Sequence, residues 1–203
     1  MKFVFNIPKT DEKISEKLVN SGWRKLREPE KVSTSLFMSI PLMLLNIIIT
    51  VSIILKFDNP ISKVISNRSF SFSLNLFDLM YFMVGIFLLT LIHELLHAVF
   101  MPNFMKSDKI YLGINFNGGF IFTTEIISKL RFIIISIMPF FIISVIMPVI
   151  LGILGGLNVL FTIFIIINAA GSSIDILNFI IISQVPRNSM IINNGFETYF
   201  IVK

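Results

Sequence analysis

Apolar residues fall in four long blocks separated by polar stretches. The first, Leu36 to Leu55, carries no charge over about 20 residues, which is the length a helix needs to cross a hydrocarbon core. The second runs from Leu74 to Phe100 and stops before Pro102. The third is Leu130 to Leu151, with Pro139 and Pro148 inside it, and the fourth is Leu157 to Ile182. Proline is tolerated in a membrane helix where neighbours satisfy the freed carbonyl, and it usually kinks the helix. Between the second and third blocks the pattern changes. Lys109 to Phe116 and Phe120 to Glu125 read as two short strands about a turn at Asn117-Gly118-Gly119. Near the start, Asp11 to Val19 predicts a short amphipathic helix, with Ile14 and Leu18 on its apolar side and Trp23 and Leu26 beyond. It suits either a membrane surface or a solvated segment.

The expected fold is therefore an all-α integral membrane protein of four transmembrane helices, with a short β-hairpin-like connection. It divides into an N-terminal segment (1–35), a transmembrane domain (36–182) and a polar C-terminal tail (183–203). Residues 56–73, including Pro60, Asn67 and Arg68, form a polar connection, and 152–156 form a tight link.

Composition supports the lipid environment. Hydrophobic residues make up 55% and charged residues 14%, whereas a soluble domain carries about 25% charged. Mean hydropathy is +0.86. The absence of cysteine excludes disulfide and thiolate chemistry. Residues 1–35 are polar and mixed in charge, and do not read as a cleavable signal.

The net charge of +5 comes from 17 Lys and Arg against 12 Asp and Glu. Eight of the cations lie in residues 1–35, four in 101–131 and two in the tail, against three in 56–73. The bias puts both termini and the hairpin on the cytoplasmic side of a cell membrane. It accounts for the basic balance without nucleic acid, and no basic recognition element stands out.

Three polar groups interrupt the second block. His93, Glu94 and His97 form a His-Glu-x-x-His pattern, and they are the chain's only histidines. Four residues apart on a helix, the two imidazoles point from one face and can share a metal, with Glu94 beside it to accept a proton from a bound water. Such groups are costly in lipid, so they belong against protein or a wet cavity. A catalytic zinc takes three protein ligands and leaves a position for water. Asp78 lies roughly 22 Å along the helix axis from His93, which is too far. Asp108 and Glu125 could approach from the hairpin connection, and Glu197 could fold back. Asp175 is the only carboxylate of the fourth block, and span boundaries put it at the depth of the histidines. It also suits helix packing or proton relay. Asn168, seven residues earlier, lies on the same helix face and could donate to a substrate carbonyl or oxyanion, or bond a neighbouring helix.

The motif Leu91-Ile92-His93-Glu94-Leu95-Leu96-His97-Ala98 resembles that of a bacterial family of zincin-peptidase-like membrane proteins, similar in turn to the site-2 class of intramembrane metalloproteases. The resemblance runs from Phe77 to Phe200. It takes in Gly113 to Phe122, Met138-Pro139-Phe140, Asp175 and Gly195-Phe196. It implies a Zn2+ held by His93, His97 and Asp175, with Glu94 as base. Site-2 proteases carry prolines and an Asp-Gly pair in the helix of the third ligand. Here Ile176 follows Asp175, and Gly171 is the residue that could loosen the helix.

The expected activity is hydrolysis of peptide bonds in membrane or juxtamembrane protein substrates, with Gly118 and Gly119 pairing to extended substrate. The alternative is a non-enzymatic, metal-binding membrane scaffold or sensor.

Overall fold

The computed structural model describes residues 2–5, 8–29, 31–67, 75–115 and 118–203, the side chains of 64, 65, 67, 114 and 115 excepted. Arg68, Leu74, Phe116 and Asn117, which figure in the sequence expectations, lie outside the described residues. In chain order the elements are β1 (Lys2–Phe3), α1 (Glu12–Asn20), β2 (Arg24–Lys25), α2 (Val32–Ile54), α3 (Pro60–Asn67), α4 (Leu76–Phe100), β3 (Ile110–Asn115), β4 (Gly118–Thr123) and β5 (Ile127–Ser128). There follow α5 (Lys129–Pro139), a π-helical stretch (Phe140–Ile146), α6 (Met147–Ile153), α7 (Val159–Gly171), α8 (Ser173–Ser183), β6 (Ser189–Asn194) and β7 (Glu197–Val202).

Among the described residues, Val32–Ile54, Leu76–Phe100, Lys129–Ile153 and Val159–Ser183 are long and apolar enough to cross a membrane, at 23, 25, 25 and 25 residues. At about 1.5 Å per residue each covers the roughly 30 Å of a hydrocarbon core. The protein is a mostly helical, multi-pass membrane protein, as the hydrophobic pattern predicts. Phe37, Leu44 and Ile48 of α2 and Phe77, Tyr81 and Phe87 of α4 are exposed. A soluble protein rarely leaves so much apolar surface uncovered, and lipid covers it here.

Two of the spans change their winding. Pro139 ends α5, and a π-helical stretch follows in which Met147 N–H reaches back five residues to the Ile142 carbonyl. The fourth span breaks for one residue at Ser172. Its N–H and its hydroxyl both donate to the Asn168 carbonyl, at 2.9 and 2.8 Å, a back-bonding that bends helices. The restart at Ser173 places Asp175 in the first turn of α8.

The chain divides into two compact units. The unit of residues 1–39, 94–138 and 174–203 contains both sheets. One sheet has the order β1-β3-β4, with β1 parallel to β3 and β3 antiparallel to β4. The other, β2-β7-β6-β5, is antiparallel throughout. Met101, Ile110, Ile127, Ile135, Ile182 and Ile191 form its buried core. The C-terminal residues, expected as a polar tail, thus supply a hairpin. Asn194 pairs with Glu197 across a two-residue turn, and Gly195 there has φ +61°. Asp11 caps α1 by accepting from the N–H groups of Lys13 and Ile14. Asn194 clasps that cap from both sides, donating to the Asp11 carbonyl at 2.8 Å and accepting from its N–H at 3.3 Å.

The unit of residues 40–93 and 139–173 packs around Ile54, Leu157 and Ile165. The buried Asn46 amide donates to the Ala169 carbonyl at 3.1 Å. Phe164 lies directly on Gly85, where any Cβ would sit 2.2 Å from the ring, and it stacks on Phe82 at 5.6 Å.

Candidate metal centre

α4 begins with a reciprocal cap. Asp78 N–H donates to Asn75 Oδ1 at 2.9 Å, and Asn75 N–H donates to Asp78 Oδ2 at 3.2 Å. Asp78 is thereby used at the helix start. Further along α4, Glu94 and His97 are buried, at 7% and 6% exposure. His93 lies one turn before His97 on the same helix, and this spacing puts both rings on one face. One ligand atom from each of His93, His97 and Asp175 lies within 4.8 Å of the other two. His97 Nε2 stands 3.5 Å from Asp175 Oδ1.

The hydrogen bonds decide which nitrogens are available. His97 Nδ1 is 2.7 Å from the Ile135 carbonyl oxygen. A carbonyl only accepts, so Nδ1 carries a proton, and Nε2 is the nitrogen that faces Asp175. The carbonyl is free to accept because of proline. Residue 139 would normally donate its N–H to the carbonyl four residues back, and Pro139 has none.

Asn168 performs the same service for His93. Its Nδ2 donates to the Pro139 carbonyl at 3.3 Å and to Ser144 Oγ at 2.9 Å. The first partner is acceptor-only, which fixes the amide so that Oδ1 faces His93 Nδ1 at 2.9 Å. His93 therefore donates from Nδ1, so Nε2 is the nitrogen of this ring that could ligate a metal. Ser144 sits in the π-helical stretch and donates its own hydroxyl to the Ile165 carbonyl. Single π turns of this kind recur at functional sites.

The donor set fits zinc. Two neutral imidazoles and one carboxylate leave one tetrahedral position for water. Ligands at about 2.0–2.1 Å from a tetrahedral ion stand about 3.3 Å apart, close to the 3.5 Å between His97 Nε2 and Asp175 Oδ1. Outward hydrogen bonds from both rings are the usual means of fixing metal-binding imidazoles.

Two other candidate carboxylates, Glu125 and Glu197, are engaged elsewhere. Glu125 accepts from Ser107 Oγ at 2.7 Å and pairs with Lys109 at 3.8 Å. Glu197 accepts from Lys25 at 2.6 Å, Tyr199 at 2.5 Å and Ser15 at 3.0 Å. Asn168 joins the site through His93. Gly118 and Gly119 stand in β4, paired with Asn115 and Ile114, as strand residues instead of the expected turn. Ile135, Pro139 and Ser144 escaped sequence reasoning as site residues. The one available signal was Pro139, a proline inside an apolar span.

A family model described as "Putative zincin peptidase" matches residues 86–190, just over half of the 203 residues. The matched stretch includes His93, Glu94, His97, Pro139, Asn168 and Asp175. No curated protein and no solved structure matches the chain.

Proposed function

The chain belongs to the putative zincin peptidase family, and we propose that it is a zinc-dependent endopeptidase of the membrane, cleaving membrane or juxtamembrane protein segments. The observation that carries this reading is the group of His93, the buried His97 and Asp175, with the Nδ1 of each imidazole tied to a fixed acceptor. Zinc bound there would polarise a peptide carbonyl and acidify a water. Glu94, adjacent to His93 on α4, takes the proton of the attacking water and returns it to the leaving amine.

In this proposal Asn168 orients His93, with contact to a substrate oxygen as its second possible role. Gly118 and Gly119 begin β4, the outer strand in the order β1-β3-β4, and a sheet edge can take up an extended peptide. The cation distribution supports cytoplasmic termini, with 1–35, 36–182 and 183–203 as the working divisions. Likeness to the site-2 class belongs to the same proposal. It rests on a His-Glu-x-x-His helix combined with an aspartate in a later span.

Metal analysis of purified protein, paired with cleavage of a membrane-embedded reporter, tests the reading. Stoichiometric zinc is expected, absent from Asp175→Ala and retained in Asp108→Ala and Glu125→Ala. Glu94→Gln should keep the metal and lose cleavage. Zinc retained by Asp175→Ala sinks the third ligand, and zinc binding without any cleavage favours a metal-binding scaffold or sensor.

A further inference from the structure

Within the unit that contains both sheets lies a cleft of about 200 Å3. Its apolar walls include Leu26, Phe122, Phe132, Ile181 and Phe196, and its polar side carries Glu28, Asn178, Asn193 and Thr198. α8 connects it to the candidate metal centre. Asn178 and Ile182 follow Asp175 by three and seven residues, so they share its helix face. The cleft therefore starts about 4.5 Å along the helix from that carboxylate.

On the polar side, Glu28, Asn193 and Thr198 offer one another more acceptors than donors. Glu28 accepts from Thr198 N–H at 2.5 Å and lies 2.9 Å from the Thr198 hydroxyl. Asn193 Oδ1 lies 3.2 Å from that same hydroxyl. Asn193 Nδ2 donates to the Thr123 carbonyl at 3.4 Å, which fixes Oδ1 as the end facing Thr198. The hydroxyl has one proton and faces two acceptors. Lys25 and Glu197 are the charged groups that face Glu28, and they pair with each other at 2.6 Å. Among the described residues no lysine or arginine forms an ion pair with Glu28. Burial pushes the Glu28 carboxyl above its ordinary value, and a cationic group beside it would offset that cost.

We propose that this cleft is a substrate subsite for a basic side chain, a lysine or arginine of the peptide being cleaved, with Glu28 as the residue that receives its charge. The inference rests on the peptidase reading above. An ammonium or guanidinium brings the missing donors, and its aliphatic stem matches walls made of Leu26, Phe132 and Ile181. Membrane proteins concentrate lysine and arginine at the cytoplasmic ends of their spans, the side on which the charge bias places this unit's termini.

The test uses the full-length Glu94→Gln protein, purified and immobilised in detergent micelles. It is exposed to an equimolar library of random octapeptides, and the retained peptides are sequenced by mass spectrometry. Enrichment of Lys and Arg at one position by about tenfold is expected, as for a charge-assisted contact. The enrichment should vanish in Glu28→Gln/Glu94→Gln, a change that keeps an acceptor for Thr198 N–H. Zinc content and circular dichroism of the double variant serve as fold controls. In the Glu94→Gln parent itself, raising salt from about 0.05 M to 0.5 M should weaken the enrichment by screening. No basic enrichment, enrichment indifferent to salt, or enrichment that survives in a folded double variant overturns the subsite. Binding of basic peptides by a protein that never cleaves leaves the subsite standing and removes the peptidase. Cleavage without basic preference does the reverse.

Discussion

Asn168 Oδ1 accepts the Nδ1–H of His93 at 2.9 Å, while the other end of the same amide is held by the Pro139 carbonyl and Ser144 Oγ. The histidine is oriented by a group that is itself oriented. Asn168→Ala should therefore weaken zinc binding by about tenfold to a hundredfold, the usual cost of losing such a partner. Chelator competition measures it. A residue acting only on a substrate oxygen would lower kcat and leave zinc affinity where it was.

Pro139→Ala makes a less obvious prediction. Alanine restores an N–H four residues after Ile135, and that N–H competes with His97 for the carbonyl. Replacing a helix-interior proline ordinarily improves a helix. Here zinc affinity should fall by about tenfold, while helical content by circular dichroism stays at the parent level. Unchanged zinc affinity would show that the proline plays no part in holding His97.

The pH dependence of the β2-β7-β6-β5 sheet follows from two glutamates of opposite sign. Burial raises the Glu28 carboxyl above 4.5. Between 4.5 and its raised value the folded protein holds a proton that the unfolded chain has lost, so stability declines as pH rises through that window. Glu28→Gln should remove this slope and raise the unfolding midpoint at pH values above the window. The hydrogen bonds from Lys25 and Tyr199 lower Glu197 instead. Its contribution is present above 4.5 and is lost as pH falls through its lowered value. Trp23 is the chain's only tryptophan and stands beside β2, so its fluorescence reports the local transition.

Gly195→Ala should loosen the N-terminal segment. The residue sits at φ +61°, and an added Cβ would lie 2.3 Å from Thr10 N and 2.6 Å from Thr10 Cα. The left-handed conformation alone costs about 1–2 kcal/mol for an L-residue, and the backbone of residue 10 cannot rotate away as a side chain could. Faster proteolysis around Lys9 and Lys13, with zinc content unchanged, is the expected result.

The four spans are legible in the sequence because lipid demands long uncharged blocks, and each block of 20 or more residues is its own signal. The pair His93 and His97 is legible because helical spacing alone sets their geometry. The hairpin of β6 and β7 is harder. Its strands are short and mixed in polarity, and Ile191 shares its buried cluster with Ile110 and Ile127, which are far away in sequence. Gly195 was the local cue for it, as glycine at the first position of a two-residue hairpin turn is recurrent. The placement of Gly118 and Gly119 in a strand depends on the register of β3 against β4, which the glycine pair does not encode. The partners of the two imidazoles were least legible, since a freed carbonyl at Ile135 is a property of main chain and leaves no side-chain mark.

β2, twenty-odd residues into the chain, forms the outer strand against β7, which holds the last residues before Lys203. Arg24 lies opposite Phe200 and Lys25 opposite Tyr199. The two segments are thus neighbours, and one cannot be removed without unmooring the other. A deletion of β7 would strip Glu28 of Thr198 and β2 of its ladder, so it should phenocopy loss of the segment that carries β2. In a chain made by ribosomes from one end to the other, β2 is synthesised long before β7, with all four spans between them. Its ladder therefore waits on the membrane segments being in place.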